Sequence, residues 1–361
     1  MASGTGRPQG ADSTERLARW LAQRFSRLDG REAWAPLALV SVAAAVAIVL
    51  FPNVAGALFH WPATVRVLAG IVAAVVAGCA TYLGLRVIAA KEHEKQDHAG
   101  ELERRHHGLV LEHERMRADL ETAREIQRMF LPDARKRPFP QFLSFAHIFL
   151  PEMAVGGDFY DLKPLDDHRV GILLVDVSGH GMSAAFITGL VKTTFEFGYS
   201  PERTTDHFMA HLNNVLEKLT PTQSFAAVIF AAYDVRAHEL RFTNAGHNPT
   251  PVVVRARGRQ IVILEEPVGL LAGVNPDMAY VEGKLDLSPG DKFVLCTDGV
   301  TDTPNEAGDR FGLSRFYDCL RRYADRSALE LRDGLMGEVA EHQGRAERAD
   351  DQTLIIMEVL K

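Results

Sequence analysis

Apolar residues in this chain come in two arrangements: long unbroken runs near the start, and short runs bounded by polar turns thereafter. Ala35 to Phe51 is uncharged and interrupted only by Ser41, and Pro52 to Phe59 extends it; Val67 to Leu85 is a second uncharged stretch between Arg66 and Arg86. Each run supplies roughly the 20 residues that a membrane-spanning helix needs. Their Ala, Gly and Val content suits close helix packing in lipid. Pro52-Asn53 either ends the first span or breaks its last turn. Arg16, Arg19, Arg24, Arg27 and Arg31 precede the first span and Arg86 and Lys91 follow the second, while the connection holds Arg66 alone. That asymmetry predicts a multi-pass arrangement in the inner (cytoplasmic) membrane, with both ends in the cytoplasm. Leu17, Trp20, Leu21, Phe25 and Leu28 recur along one side of a helix, as in an interfacial segment. About 30 polar residues before the apolar run argue against a signal peptide, and the loop between the spans is too short to fold as a sensor domain.

A different period governs residues 91–131. Leu102, Leu109, Met116, Ala123 and Phe130 fall seven apart, with Leu120 sharing its offset with His106, His113 and Gln127. The repeat predicts a parallel coiled coil with a weak seam, hence a homodimer. Gly108 and the crowded Glu and Arg residues leave a single solvated spacer helix as the alternative. The expected organisation is 1–33 cytoplasmic segment, 34–90 two-helix hairpin, 91–131 linker and 132–361 soluble domain.

Within that last domain the period switches between strand and helix. Gly171 to Asp176, Ala226 to Asp234, Leu240 to Asn244, Pro251 to Ala256, Phe293 to Cys296 and Thr353 to Val359 read as strands. Ser183 to Tyr199, Glu202 to Leu219, 313–324 and 327–342 read as helices, and 265–273 as irregular. Three apolar runs adjoin an aspartate: LLVD at Asp176, LCTD at Asp298, and Asp350 just before the last run. With Asp158, eighteen residues before Asp176, and Asp302, four beyond Asp298, they make a set of five carboxylates beside glycine turns. Hard divalent cations prefer such oxygen donors. Two ions about 3.5–4 Å apart activate water and neutralise the oxygens of a phosphate ester.

Beyond the carboxylates, the stretches Ala123-Arg124-Glu125-Ile126-Gln127-Arg128-Met129-Phe130-Leu131-Pro132, VGGDFYD, DVSGHGMSAA, NAGHNP, TDGVTD and DDQTL stand in this order. Over about 123–360 the chain resembles the bacterial stage II sporulation protein E-type serine/threonine phosphatase, a branch of the metal-dependent protein phosphatase 2C superfamily. The resemblance implies an α+β fold, a four-layer α-β-β-α sandwich, preceded here by the two transmembrane helices and the coiled-coil linker. It implies that Asp176 bridges two Mn²⁺ or Mg²⁺ ions, with Asp158 and the backbone carbonyl of Val177 on one and Asp298 and Asp350 on the other. Asp302 falls at the place of a weaker third ion. Asp176 and Asp158 are thus the expected catalytic residues, and Ala123–Leu131 matches a regulatory helix. Met153 stands where the eukaryotic branch carries a phosphate-binding arginine. His180 and His247 lie in glycine turns where an imidazole serves equally as a proton donor or as a backbone hydrogen-bond partner, and neither is assigned to catalysis.

Composition narrows the partners. A net charge of −7 with a pI near 6.1 supplies no basic field for nucleic acid. Cys79, Cys296 and Cys319 follow no metal or disulfide spacing, so reduced thiols are expected. The expected function is a membrane-anchored phosphoprotein phosphatase. The resemblance points to a phosphorylated STAS-type anti-sigma-factor antagonist as substrate, in partner-switching signalling. Two other readings stay open: a membrane scaffold with a weak or inactive phosphatase fold, and a small-molecule phosphohydrolase.

Overall fold

The computed structural model describes residues 62–133, 137–179, 181–200, 203–221 and 224–361. The first expected span, the interfacial helix before it and His180 lie outside the described residues. The chain divides into two compact units, residues 1–112 and 113–361.

Helix α1 runs from Ala63 to Phe130 as 68 continuous residues. Gly108 does not interrupt it, contrary to the sequence expectation. One interior glycine costs only about 1 kcal/mol relative to alanine, and the neighbouring Leu, Glu and Arg are strong helix formers with support such as the Arg105–Glu101 pair one turn apart. Among the described residues this is the one helix long and apolar enough to cross a membrane, by length and composition. A hairpin therefore rests on residues outside that set. The expected seam positions Leu102, Leu109 and Met116 are exposed on the single helix, which has no partner strand of coiled coil among the described residues.

Two sheets organise the second unit. One has strand order β1 (Leu143–Leu150), β11 (Gln352–Val359), β10 (Lys292–Cys296), β6 (Val252–Val254), β7 (Ile261–Ile263). The other has β2 (Asp158–Pro164), β3 (Arg169–Val177), β4 (Ala226–Asp234), β5 (Glu239–Ala245), β8 (Val268–Gly269), with β9 (Gly283–Asp286) also on β5. Alternate residues on a strand face opposite ways, and the clusters follow that rule. Ile172 and Leu174 of β3 join Phe293 and Leu295 of β10 and Ile355 and Met357 of β11 in a core between the sheets. Leu173 and Val175 instead pack on α2 (Met182–Gly198) and α3 (Thr205–Leu219). On the far side, Val294, Leu354 and Ile356 pack on α5 (Leu313–Arg322) and α6 (Ala328–Gln343). A single turn, α4 (Asp298–Thr301), follows β10. Helices thus cover both outer faces of two stacked sheets, giving a mixed α/β domain of four layers.

Strands β3, β4, β5, β10 and β11 and helices α2, α3, α5 and α6 lie where periodicity placed them, with α3 starting three residues later than expected. The edge strands β1 and β2 have no counterpart in the sequence expectation. DFYDLKP carries two carboxylates and a proline, which mask its alternation.

Candidate metal centre

The inter-sheet core ends in polar groups at one margin, and strand parity puts them there. In β3 the inward row Ile172, Leu174 continues to Asp176; in β2 the inward row Leu162, Tyr160 continues to Asp158. The two aspartates are cross-strand partners, so their side chains share a face. From the opposite sheet, the inward row of β10 runs through Phe293 and Leu295 to Thr297, and that of β11 from Met357 and Ile355 to Thr353. Both threonine hydroxyls donate to Asp158 Oδ2, at 2.7 and 2.5 Å. Thr297 N–H also donates to the Thr353 carbonyl at 3.0 Å, and Thr353 N–H to Thr297 Oγ1 at 3.0 Å. Asp158 is only 3 % exposed, and it ties the sheets together at this margin.

Asp298 and Asp350 interact electrostatically with Asp176, and Asp302 with Asp298 and Asp350. Asp298 opens α4, one residue beyond Thr297. Asp350 is exposed, one residue short of buried Asp351, whose N–H donates to Asp350 Oδ1 at 2.8 Å. Asp302 follows α4, and Arg310 Nη1 donates to its Oδ2 at 2.5 Å. Val177 closes β3 with a buried side chain. His247 is buried; its Nδ1 donates to the Pro249 carbonyl at 3.2 Å, which leaves Nε2 as the deprotonated nitrogen, and burial lowers its pKa to about 4. Met153 is half exposed.

Electrostatics couple these carboxylates. Burial pushes Asp158 well above the usual carboxylate range, and the Asp176 charge pushes it further. Asp176 is raised to about 7, first by burial and then by Asp298, Asp350 and Asp351. Asp298 is raised by burial, Asp350 and Asp302, and lowered by the Gly299 N–H and the Arg310 charge. Asp350 is raised by burial and by its acidic neighbours Asp351 and Asp302. Carboxylates that repel one another in a partly dry place gain from a cation in the same place. Among the described residues no three His, Cys, Asp or Glu side chains close tightly enough to hold one ion by themselves. Carboxylate oxygens are donors that Mg²⁺ and Mn²⁺ prefer, so the donor chemistry fits divalent ions.

Several residues that shape this site escaped the sequence reading. Asp351 accepts from the backbone N–H groups of Glu152 at 2.7 Å and Asp158 at 3.1 Å, pinning the loop before β2. The two glycines of VGGD are there for close approach. A Cβ on Gly156 would lie 2.1 Å from Asp351 Oδ2, and one on Gly157 would lie 2.7 Å from the Val177 carbonyl oxygen. At the end of α1, Gln127 clamps the same loop. Its Nε2 donates to the Gly156 carbonyl at 2.8 Å and its Oε1 accepts from Gly156 N–H at 3.1 Å. Nε2 also reaches Thr188 of α2 at 3.4 Å. On the outer face of β2, Asp161 pairs with Lys192 of α2 at 2.7 Å. The second Asp of DDQT and the Gln of the IQ pair were the available signals; nothing local marked their partners.

Known proteins resemble this chain in sequence and in fold. Residues 166–360 match the family described as Stage II sporulation protein E (SpoIIE). The chain is 24% identical over 247 residues to the phosphoserine phosphatase RsbP of Bacillus subtilis, covering 67% of this chain and 58% of that protein. It is 27% identical over 197 residues to the phosphoserine phosphatase RsbU of the same organism, covering 54% and 56%. The chain thus spans less than two thirds of either relative. The fold is similar to that of the SiaA-PP2C domain of Pseudomonas aeruginosa, with a TM-score of 0.59, 24% identity, and 68% of this chain and 98% of that one covered. It is also similar to the RsbU and RsbW domains of a Mycobacterium tuberculosis protein, with a TM-score of 0.53, 22% identity, and coverage of 61% and 60%. The family match takes in more than half of the chain, and the chain belongs to the SpoIIE family of phosphatase-like domains.

Proposed function

We propose that this member of the SpoIIE family is a membrane-anchored, metal-dependent phosphoprotein phosphatase acting on phosphoserine or phosphothreonine. The observation that carries the reading is the margin where the inward rows of four strands end in Asp158, Asp176, Thr297 and Thr353, with Asp298 and Asp350 alongside. Asp176 would be shared by two Mn²⁺ or Mg²⁺ ions, Asp158 and the Val177 carbonyl would complete one, and Asp298 and Asp350 the other. Asp302 is left for a weaker third. When bound, such ions neutralise phosphoryl oxygens and activate water. The chain's own residues keep the donors in place: Thr297 and Thr353 fix the Asp158 carboxylate, and Asp351 fixes the loop that carries it. Held this way, the Asp158 carboxylate is oriented before an ion binds.

The domain limits 1–33, 34–90, 91–131 and 132–361, the two-helix anchor and the cytoplasmic placement of the phosphatase belong to the same reading. So does a homodimer joined through residues 91–131. The Gln127 clamp supports control by α1, because it ties the end of that helix to a residue two positions from Asp158. The names of the relatives, phosphoserine phosphatases, support a phosphoprotein substrate, and we assign a STAS-type antagonist in partner switching.

The test is a rate comparison with the full chain in detergent and Mn²⁺. A phosphorylated STAS protein, a short phosphoserine peptide and a small phosphometabolite are assayed under matched conditions, with Asp176→Asn as the control. Fast, selective release of phosphate from the STAS protein is expected. Indiscriminate peptide hydrolysis counts against partner switching, selective hydrolysis of the metabolite replaces the protein-phosphatase reading, and inactivity with bound metal turns the chain into a scaffold.

A further inference from the structure

Arg310 is held beside the acidic margin by a built hairpin. Phe311 N–H donates to the Thr303 carbonyl at 2.9 Å, and Gly312 N–H to that of Thr301 at 2.7 Å. Pro304 and Arg310 are bridged across it. Its tip is tied by Asn305, whose Oδ1 accepts from Ala307 N–H and Asp309 N–H, both at 2.9 Å. Its base is fastened to the sheet through Gln352 Nε2, which donates to Thr303 Oγ1 at 2.7 Å. The arm therefore fixes the backbone at Arg310. One prong, Nη1, engages Asp302, yet the side chain is 70 % exposed. An ion pair that exposed adds little to stability. Its remaining N–H donors make no other hydrogen bond among the described residues, and its charge acts to lower the pKa of Asp298.

Charge balance gives that exposed fork a use. Fully ionised, the five candidate ligands Asp158, Asp176, Asp298, Asp302 and Asp350 carry one negative charge more than two divalent ions offset. An arriving phosphate monoester brings further negative charge. A guanidinium presents paired donors that match two phosphate oxygens, which an ammonium cannot do. Arg348 Nη1 donates to the Pro151 carbonyl at 2.9 Å, while its Nε is buried without a hydrogen-bond partner among the described residues.

We infer that Arg310 is a phosphate-binding residue of this site, held by Asp302 with one prong and gripping the substrate's phosphoryl oxygens with the other. The inference rests on the phosphatase reading above, and its test reads binding separately from hydrolysis. Full-length protein in detergent, loaded with Mn²⁺, is titrated calorimetrically with inorganic phosphate, and metal-free protein with Mn²⁺ alone. Arg310→Ala should weaken inorganic phosphate by about 10- to 100-fold, the worth of hydrogen bonds to a charged group, while Mn²⁺ affinity stays within about twofold. KM for an aryl phosphate should rise by a similar factor with a smaller change in kcat, and Arg310→Lys should fall between. Unchanged phosphate affinity in Arg310→Ala overturns the inference. Parallel loss of phosphate and Mn²⁺ also overturns it, since Arg310 would then serve only to hold Asp302. Wild-type protein that binds phosphate through Arg310 but hydrolyses nothing sinks the phosphatase reading and leaves this assignment standing.

Discussion

Val67–Leu85 in α1 and Gly171–Val175 in β3 are built from similar apolar residues and meet opposite surroundings. Ile172, Leu173 and Leu174 are wholly enclosed, by the second sheet on one face and by α2 and α3 on the other. Leu68, Val75, Val76, Leu83 and Leu85 are each more than half exposed. An apolar run states that water is to be excluded, and leaves open what excludes it. The strand draws its cover from its own domain. The helix finds none among the described residues. The candidate metal ligands all fall in residues 113–361, and the apolar stretch Val67–Leu85 falls in residues 1–112.

The hardest test of that division is Asp176→Asn. It should abolish hydrolysis of an aryl phosphate with Mn²⁺, because a neutral amide bridges cations poorly, while the protein stays folded and membrane-bound. Wild-type turnover with bound metal verified would remove the chemistry from this margin. Next comes Val76→Asp. On a water-facing helix it should change little, whereas in a bilayer it costs about 2.5–3.5 kcal/mol. Fractionation should show the protein leaving the membrane, with the rate per bound metal unchanged; an unshifted membrane fraction would deny the helix its lipid.

Thr297→Val removes one of the two hydroxyls on Asp158. Loss of a partner behind a metal ligand costs about 10- to 100-fold in metal affinity or activity, and calorimetry with Mn²⁺ should read that drop. A variant with native affinity would make the hydroxyl a bystander. Gly157→Ala forces a Cβ to within 2.7 Å of the Val177 carbonyl oxygen. Overpacking of this kind costs about 1–3 kcal/mol, seen as a lower midpoint in urea. The smallest effect is in the linker. Cysteines at Leu109 and Met116 should cross-link between copies in membranes more than one at Glu112, and equal weak linking at all three would favour a lone helix.

How far the sequence could be read depended on distance along the chain. Strands β3, β10 and β11 and helices α2, α3, α5 and α6 were legible because a local period of two or 3.6 marks them. The aspartates were legible because each adjoins an apolar run and a turn. The partners of those aspartates were not. Thr297 and Thr353 reach Asp158 from 139 and 195 residues away, and Asp351 reaches its backbone from 193. No local feature of the sequence distinguishes Arg310 from other charged residues or Asp351 from its neighbour Asp350.

The order of elements and the acidic residue types were determined by the sequence alone, since propensity, alternation and turn chemistry act between neighbours. Only the tertiary structure decided that Asp350 stays exposed while Asp351 is buried as a backbone clamp, that Gln127 holds Gly156, and that Arg310 stands beside Asp302. Those outcomes depend on which strand faces which across the stacked sheets. Sheet packing fixes that register through burial of the rows Ile172–Leu174 and Phe293–Leu295, and no local pattern encodes the polar groups it brings together at their ends.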